Sequence, residues 1–346
     1  MVQHLLLHGD VFDALKTLAA QSVQGIVTSP PYFQQRIYGV EGEIGTEKSA
    51  DEYVDTIGEV GRELYRVLRD DGTFWLNIGD TYKNKELVGI PWLCAFELKR
   101  CGWILRNEAI WNKRAYKPEG GLKDRLSRNH EQVFLFTKTK KGYYFDQEGI
   151  REPDDLEKGI LRKNLDQFQR RGRLRRTVWN ISSVSSRTSH TATFPLDLVE
   201  LCVAASTSDY GCCLTCGAPF ARQIEKGEID LEWQRSCGGD RTGKYTGKAL
   251  KDYAKAGAED ASSIKARILQ GMRKQRTVGW MPRCECVSNE VVPCTVLDPF
   301  MGVGTAARVA YAGGRSSIGI ELNPESVADY QKEAQKVGMQ YVVRGV

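Results

Sequence analysis

Apolar residues along the chain fall into short continuous runs separated by stripes that repeat every three or four positions. His4-Leu5-Leu6-Leu7-His8 is the first run and stops at Gly9-Asp10, after which Val11, Phe12, Leu15 and Leu18 recur at helical spacing. Val23 to Thr28 forms a second short strand that breaks off at Ser29-Pro30-Pro31-Tyr32. A polar, glycine-bearing loop runs to about Ala50, and Tyr53, Val54, Ile57, Val60, Leu64, Val67 and Leu68 then give the stripe of an amphipathic helix. Asp71-Gly72 ends that stripe, and Thr73 to Ile78 reads as a buried strand. Strands alternating with helices predict an α/β fold, a parallel sheet with helices on its faces.

Two further β-rich runs, Trp103 to Trp111 and Gln132 to Thr137, flank a polar loop. Periodicity fades from about Asp146 to Ser189, a stretch holding Arg170-Arg171-Gly172-Arg173-Leu174-Arg175-Arg176, and irregular structure is expected there. Order returns at Phe194-Pro195, where proline opens a helix through Leu198, Val199, Leu201 and Cys202. A second polar insertion covers roughly Ser206 to Pro293. The chain closes with a strand at Thr295 to Leu297, a glycine-rich turn, an alanine-rich helix to Tyr311, a strand at Ser317 to Ile320 and a final helix.

The 346 residues hold enough chain for a large domain with insertions, and 41% hydrophobic against 27% charged residues is ordinary for a globular protein. No apolar run approaches the ~18 residues of a membrane span, and Leu5-Leu6-Leu7 lacks the basic flank of a signal peptide. These features predict a soluble, cytoplasmic protein with no membrane partner. Charge is segregated: residues 1–112 carry 11 Lys/Arg against 16 Asp/Glu, residues 113–294 carry 33 against 23, and residues 295–346 carry five of each. An acidic-to-neutral body with a basic middle fits a partner with a phosphate backbone, and equally a solvated basic loop.

Two motifs carry chemistry. Asp298-Pro299-Phe300-Met301-Gly302-Val303-Gly304-Thr305 follows a strand and opens a helix, and Glu321 ends the next strand, where an acidic side chain can bind a ribose diol. Gly302-x-Gly304-x-x-Ala307 also satisfies the dinucleotide spacing. However, only 49 residues run from Asp298 to the C-terminus, and a carboxylate would sit where a pyrophosphate needs donors. A cationic nucleoside without phosphate, such as S-adenosylmethionine, suits the loop better. The second motif, Thr28-Ser29-Pro30-Pro31-Tyr32, ends the second strand. Its prolines donate no N–H, leaving carbonyls to accept hydrogen bonds from a substrate, with the Ser29 hydroxyl beside them. Acceptors on both hydrogens of a nucleobase amine localise its lone pair, and Tyr32 offers an aromatic face to an extruded base.

These motifs resemble those of the amino-methylating DNA methyltransferases in which the catalytic motif precedes the cofactor motif. Ser29-Pro30-Pro31-Tyr32 is similar to the family's catalytic tetrapeptide, and Asp298, Pro299, Phe300, Gly302, Gly304 and Thr305 to its cofactor loop, with Glu321. Thr193-Phe194-Pro195 resembles the helix start that contacts the methionine moiety, and Gly9-Asp10 the strand end whose acid reaches the adenine. The resemblance implies a seven-stranded S-adenosylmethionine-dependent methyltransferase sheet in permuted order, the N-terminal strand lying beside the last one. It further implies double-stranded DNA as partner, base flipping, and a restriction endonuclease as a companion such enzymes admit. Residues 1–145 would form the catalytic part, 190–206 the cofactor-contacting helix and 295–346 the cofactor-binding part. The basic segment 146–189 and the insertion 207–294 would serve target recognition. Ser29 at the first motif position favours cytosine-N4 over adenine-N6 methylation. A catalytically silent nucleic-acid-binding protein of the same fold is the rival from another class.

Ring-carbon methylation would need a cysteine nucleophile after proline, and Pro293-Cys294 supplies that dipeptide, but at the entry to the cofactor strand, so Cys294 is expected in the core. Eight of the ten cysteines lie from Cys202 onward. Cys213-x-x-Cys216-Gly217 has zinc-knuckle spacing, and Cys284-x-Cys286 supplies two further thiolates for a structural zinc, with Cys212 and Cys237 as rival ligands.

Overall fold

The computed structural model describes residues 2–114, 121–152, 174–183, 194–229, 273–287 and 290–346. The chain divides into a first unit, Met1–Ile150, Arg176–Ala221 and Pro282–Val346, and a second unit, Arg151–Arg175 and Arg222–Met281. In chain order the elements are β1 (His4–His8), α1 (Val11–Thr17), β2 (Val23–Thr28), α2 (Ala50–Val67), β3 (Leu68–Ile78), β4 (Tyr82–Lys83), β5 (Glu86–Leu87), α3 (Ile90–Arg100), β6 (Ile104–Lys113), β7 (His130–Thr137) and β8 (Val178–Ile181). They continue with α4 (Leu196–Ser206), β9 (Cys212–Cys213), β10 (Ala221–Ile229), β11 (Arg273–Met281), β12 (Val291–Val292), β13 (Thr295–Asp298), α5 (Thr305–Ala312), β14 (Ser316–Glu321), α6 (Pro324–Lys336) and β15 (Val342–Gly345).

A sheet in the order β15-β1-β14-β13-β2-β3-β7-β6-β8 organises the first unit. Its inner seven strands are the expected permuted sheet, with β1 parallel to β14 in the register Leu5 to Ile318. Two edge strands extend it to nine. β8 pairs with β6 inside the stretch expected to be irregular, and β15 pairs with β1 beyond the last expected helix. The first three strands of the chain lie in a parallel run, β1-β14-β13-β2-β3, as their alternation with helices predicts, whereas β7 runs antiparallel to both β3 and β6. No helix separates β6 from β7, so the chain has no crossover with which to restore a parallel direction.

Burial on both faces explains why the strands read as continuous apolar runs. On β2, Ile26 packs with α1, α2 and α3, whereas its neighbour Val27 faces α4 and α5. On β3, Phe74 and Leu76 take the first face and Trp75 the second. α2 begins with a capping box between Ser49 and Glu52. α3, whose apolar residues form no stripe in the sequence, carries Pro91 in its first turn and buries Ile90, Cys94, Ala95 and Leu98. α4 is pinned across the sheet by Ser206, whose Oγ accepts from Thr73 Oγ1 at 2.8 Å and Trp75 Nε1 at 2.9 Å and donates to the Cys202 carbonyl at 2.7 Å.

In the second unit β10 and β11 form a two-stranded sheet. There Arg222 lies over the Trp280 ring at 4.4 Å and hydrogen-bonds Thr277, and Arg276 pairs with Glu225. Among the described residues no helix is long and apolar enough to cross a membrane.

Candidate active site

Adjacent parallel strands β2 and β13 end at one edge of the sheet, with Val296 opposite Gly25 and Leu297 opposite Ile26. Their last residues are joined directly: Thr28 Oγ1 donates to Asp298 Oδ1 at 2.6 Å. The diproline turn leaves from one of these tips and the glycine turn from the other, and both line one cavity of about 350 Å³. Carboxyl ends of parallel strands are where open sheets bind ligands.

On the glycine side, Asp298 is 2% exposed, and its Oδ1 also accepts from Phe300 N at 3.1 Å. Oδ2 is buried with no hydrogen-bond partner among the described residues. Burial outweighs the Thr28 and Phe300 hydrogen bonds and pushes this carboxyl up to about 7. Glu321, at the tip of β14, accepts from Gly302 N at 2.8 Å through Oε2 and from Asn323 N at 2.8 Å through Oε1. The Glu321 carboxylate lines the cavity. The chain enters α5 through Gly304 at φ +78°, where a Cβ would lie 2.2 Å from the Tyr330 ring. Glycine is the residue that this left-handed, tightly covered position admits.

Other expected cofactor contacts divide. Gly9, Asp10, Phe194, Pro299 and Phe300 line the cavity, whereas Pro195 caps α4 just behind Phe194, and buried Thr305 begins α5. Asp10 also works locally: its Oδ1 caps α1 by accepting from Phe12 N at 2.8 Å and Asp13 N at 3.3 Å. Thr193, with His190, Thr191 and Ala192, lies outside the described residues.

On the diproline side the expectation of two free carbonyls is corrected. Pro31 O accepts from the Tyr53 hydroxyl at 2.8 Å, which anchors the turn to α2. No described residue donates to Pro30 O, and Ser29 Oγ accepts from Asn77 Nδ2 at 3.3 Å, so Pro30 O and one remaining lone pair of Ser29 Oγ are left for a ligand. Ser29 Oγ donates to Tyr32 Oη at 3.1 Å, and Tyr32 Oη donates to Glu131 Oε2 at 2.7 Å. Asn77 Nδ2 donates to Tyr32 Oη at 2.7 Å and Glu131 Oε2 at 2.8 Å, and Lys113 Nζ donates to Glu131 Oε1 at 2.5 Å. Burial and the Glu131 carboxylate hold the Tyr32 phenol well above its usual range, so it remains a donor. Because the donors point toward Glu131, the serine hydrogen is drawn inward and the oxygen is left to accept.

Sequence reading missed Asn77, Lys113 and Glu131, and with them Trp111, which lines the same cavity. A signal existed. Asn77 interrupts the apolar run of β3, and Lys113 and Glu131 sit where β6 ends and β7 begins, at the same edge because β7 runs backwards. Arg36 and Tyr38 also line the cavity, whereas Arg125 stacks on Tyr82 at 3.8 Å.

The cysteines lie elsewhere. Sulfurs of Cys213, Cys216, Cys284 and Cys286 fall within 4.8 Å of one another. Cys212, adjacent on β9, donates instead toward the Val292 carbonyl at 3.5 Å, and Cys237 is outside the described residues. Cys294 is 1% exposed and precedes β13, at the opposite end of that strand from Asp298, which removes it from the site.

The chain is 36% identical over 263 residues to the type II methyltransferase M.SmaI of Serratia marcescens, covering 68% of this chain and 85% of that protein. Its fold is similar to that of PvuII DNA methyltransferase (cytosine-N4-specific), with a TM-score of 0.57 at 17% identity over 96% of this chain and 86% of that one. It is likewise similar to a putative DNA modification methylase of Thermus thermophilus, solved with S-adenosyl-L-methionine, with a TM-score of 0.52 at 19% identity over 99% of both chains. The family model of the DNA methylases named N6_N4_Mtase matches residues 23–214 and 288–332. This chain belongs to that family and is an amino-methylating DNA methyltransferase.

Proposed function

We propose that the protein transfers a methyl group from S-adenosylmethionine to the N4 amine of a cytosine flipped out of double-stranded DNA. One observation carries the reading: the diproline and glycine turns leave neighbouring strand tips, tied by the Thr28–Asp298 hydrogen bond, and open into one cavity. The residues present fit the cofactor. Glu321 puts a carboxylate on the cavity wall where a ribose would need an acceptor, Phe194 and Phe300 supply apolar walls, and the partnerless Asp298 Oδ2 is buried next to the wall residue Pro299. When bound, S-adenosylmethionine supplies an electrophilic methyl group on a sulfonium.

What the chain contributes is position. A cytosine amine is a weak nucleophile because its lone pair is delocalised into the ring. Pro30 O and Ser29 Oγ accept its two hydrogens and favour a pyramidal nitrogen whose lone pair points at the methyl. Tyr32 is held by Ser29, Asn77 and Glu131, and its ring forms a wall for the extruded base. Ser29, at the motif position where the resemblance associates serine with cytosine-N4 enzymes, supports cytosine; as an acceptor it would serve either amine.

The test is methylation of DNA with isotopically labelled cofactor, digestion to nucleosides and mass spectrometry. Label in N4-methylcytosine is expected. Label in N6-methyladenine would overturn the base assignment while leaving the amine chemistry, and label in 5-methylcytosine would overturn both.

A further inference from the structure

Four thiols converge far from the methyl-transfer cavity. Cys213 ends β9, and the chain then turns so that the N–H groups of Thr215 and Cys216 point at the Cys213 sulfur. Gly217 closes the turn, its N–H donating to Cys213 O at 2.8 Å. It adopts φ +71°, with a would-be Cβ 3.0 Å from Arg69 Nη1, so the turn needs glycine. Cys284 and Cys286 arrive from the returning strand and complete a set whose sulfurs all lie within 4.8 Å. A tetrahedron with metal–sulfur bonds of about 2.3 Å needs sulfurs roughly 3.8 Å apart. We infer that Cys213, Cys216, Cys284 and Cys286 bind one zinc ion as a closed, structural site.

Donor chemistry selects the metal. Four soft thiolates favour zinc over magnesium or calcium, and a complete set of protein ligands leaves no open position for catalysis. Four thiols lose their protons on binding, giving a centre of net charge −2. A cation is already beside it: Arg69 donates to the Cys216 carbonyl and pairs with Asp71 at 2.8 Å.

The knuckle is wired to the sheet. Gln24 Nε2 donates to Gly217 O at 3.1 Å, and Gln24 Oε1 accepts from Thr295 N at 2.7 Å, which links the turn to the starts of β2 and β13. Those starts are the far ends of the strands whose tips carry the active site. The four residue steps from Gln24 to Thr28 span about 13 Å. The metal therefore acts on the fold, holding together the two points where the chain leaves the first unit after Ala221 and returns at Pro282.

Purified full-length protein, prepared under reducing conditions, is assayed for metal by mass spectrometry and reloaded with cobalt(II). One zinc per chain and the absorption bands of tetrahedral four-sulfur cobalt are expected. The double variant Cys284→Ser/Cys286→Ser should lose the zinc at least tenfold. Should that variant fail to fold, the cobalt spectrum of Cys286→Ser serves instead, shifting to that of a three-sulfur site. A metal-free wild type that rejects cobalt would overturn the inference. So would a variant with unchanged zinc, or a Cys213–Cys216 disulfide in peptide mapping.

Discussion

Asp298 ties the tip of β13 to that of β2, and its ionisation is a readily tested property of a single residue in the proposed site. Burial raises its carboxyl from 3.8 to about 7. The folded protein thus holds a proton that the unfolded chain has lost over that interval. The resulting stability is full below about pH 4 and disappears as pH rises to about 7. A cationic ligand favours the ionised form, so affinity for S-adenosylmethionine should rise with pH and level off above about pH 7. Calorimetric titration across that range checks this, and Asp298→Asn should flatten the profile. A wild-type affinity independent of pH would remove Asp298 from the cofactor's electrostatics. Glu131 makes a different prediction. It receives the Tyr32 hydroxyl and the Lys113 ammonium, so Glu131→Ala should let the diproline corner drift and lower kcat about 10²-fold, with KM for cofactor within a few fold. Glu131→Gln, which can still accept from Tyr32, should restore most of the rate. Equal losses in both variants would mean that charge, not position, matters there.

At the scale of elements, β2 and β13 were legible because each is a short apolar run ended by residues with unusual backbone demands. α2 was legible from its stripe and capping residues. α3, β8 and β15 were not. The helix of Ile90–Arg100 spreads its apolar residues so widely that Trp92, Leu93 and Phe96 remain exposed, which erases the stripe. β8 and β15 are four-residue edge strands specified by the neighbours they pair with. The Asn77, Lys113 and Glu131 network stayed hidden because its members come from three strands whose order in space depends on the reversal of β7. The glycine turn supplies a graded test. Gly304→Ala meets both left-handed strain and the Tyr330 ring, and should cost more than the roughly 1–2 kcal/mol of the conformation alone. Gly302, at φ +52° with open space around its would-be Cβ, should lose about that smaller amount. Thermal unfolding of the two variants checks the order, and the reverse ranking would contradict the packing described for α5 and α6.

Across the whole molecule, the tips of β2 and β13 open into the cavity while their starts are linked through Gln24 to the cysteine cluster. That separation predicts that removing metal from the folded protein lowers its unfolding temperature without changing cofactor affinity more than a few fold. Differential scanning fluorimetry and calorimetry on the same samples distinguish this from a site in which the cysteines serve the reaction. The central claim is that the diproline corner presents the amine while the glycine turn separately holds the cofactor. Its most direct measurement pairs turnover on DNA with equilibrium binding of S-adenosylmethionine in Pro30→Ala and Tyr32→Ala. The account predicts turnover reduced at least about 10²-fold with affinity within a few fold of wild type. Full turnover in either variant, or affinity falling in step with rate, would contradict it.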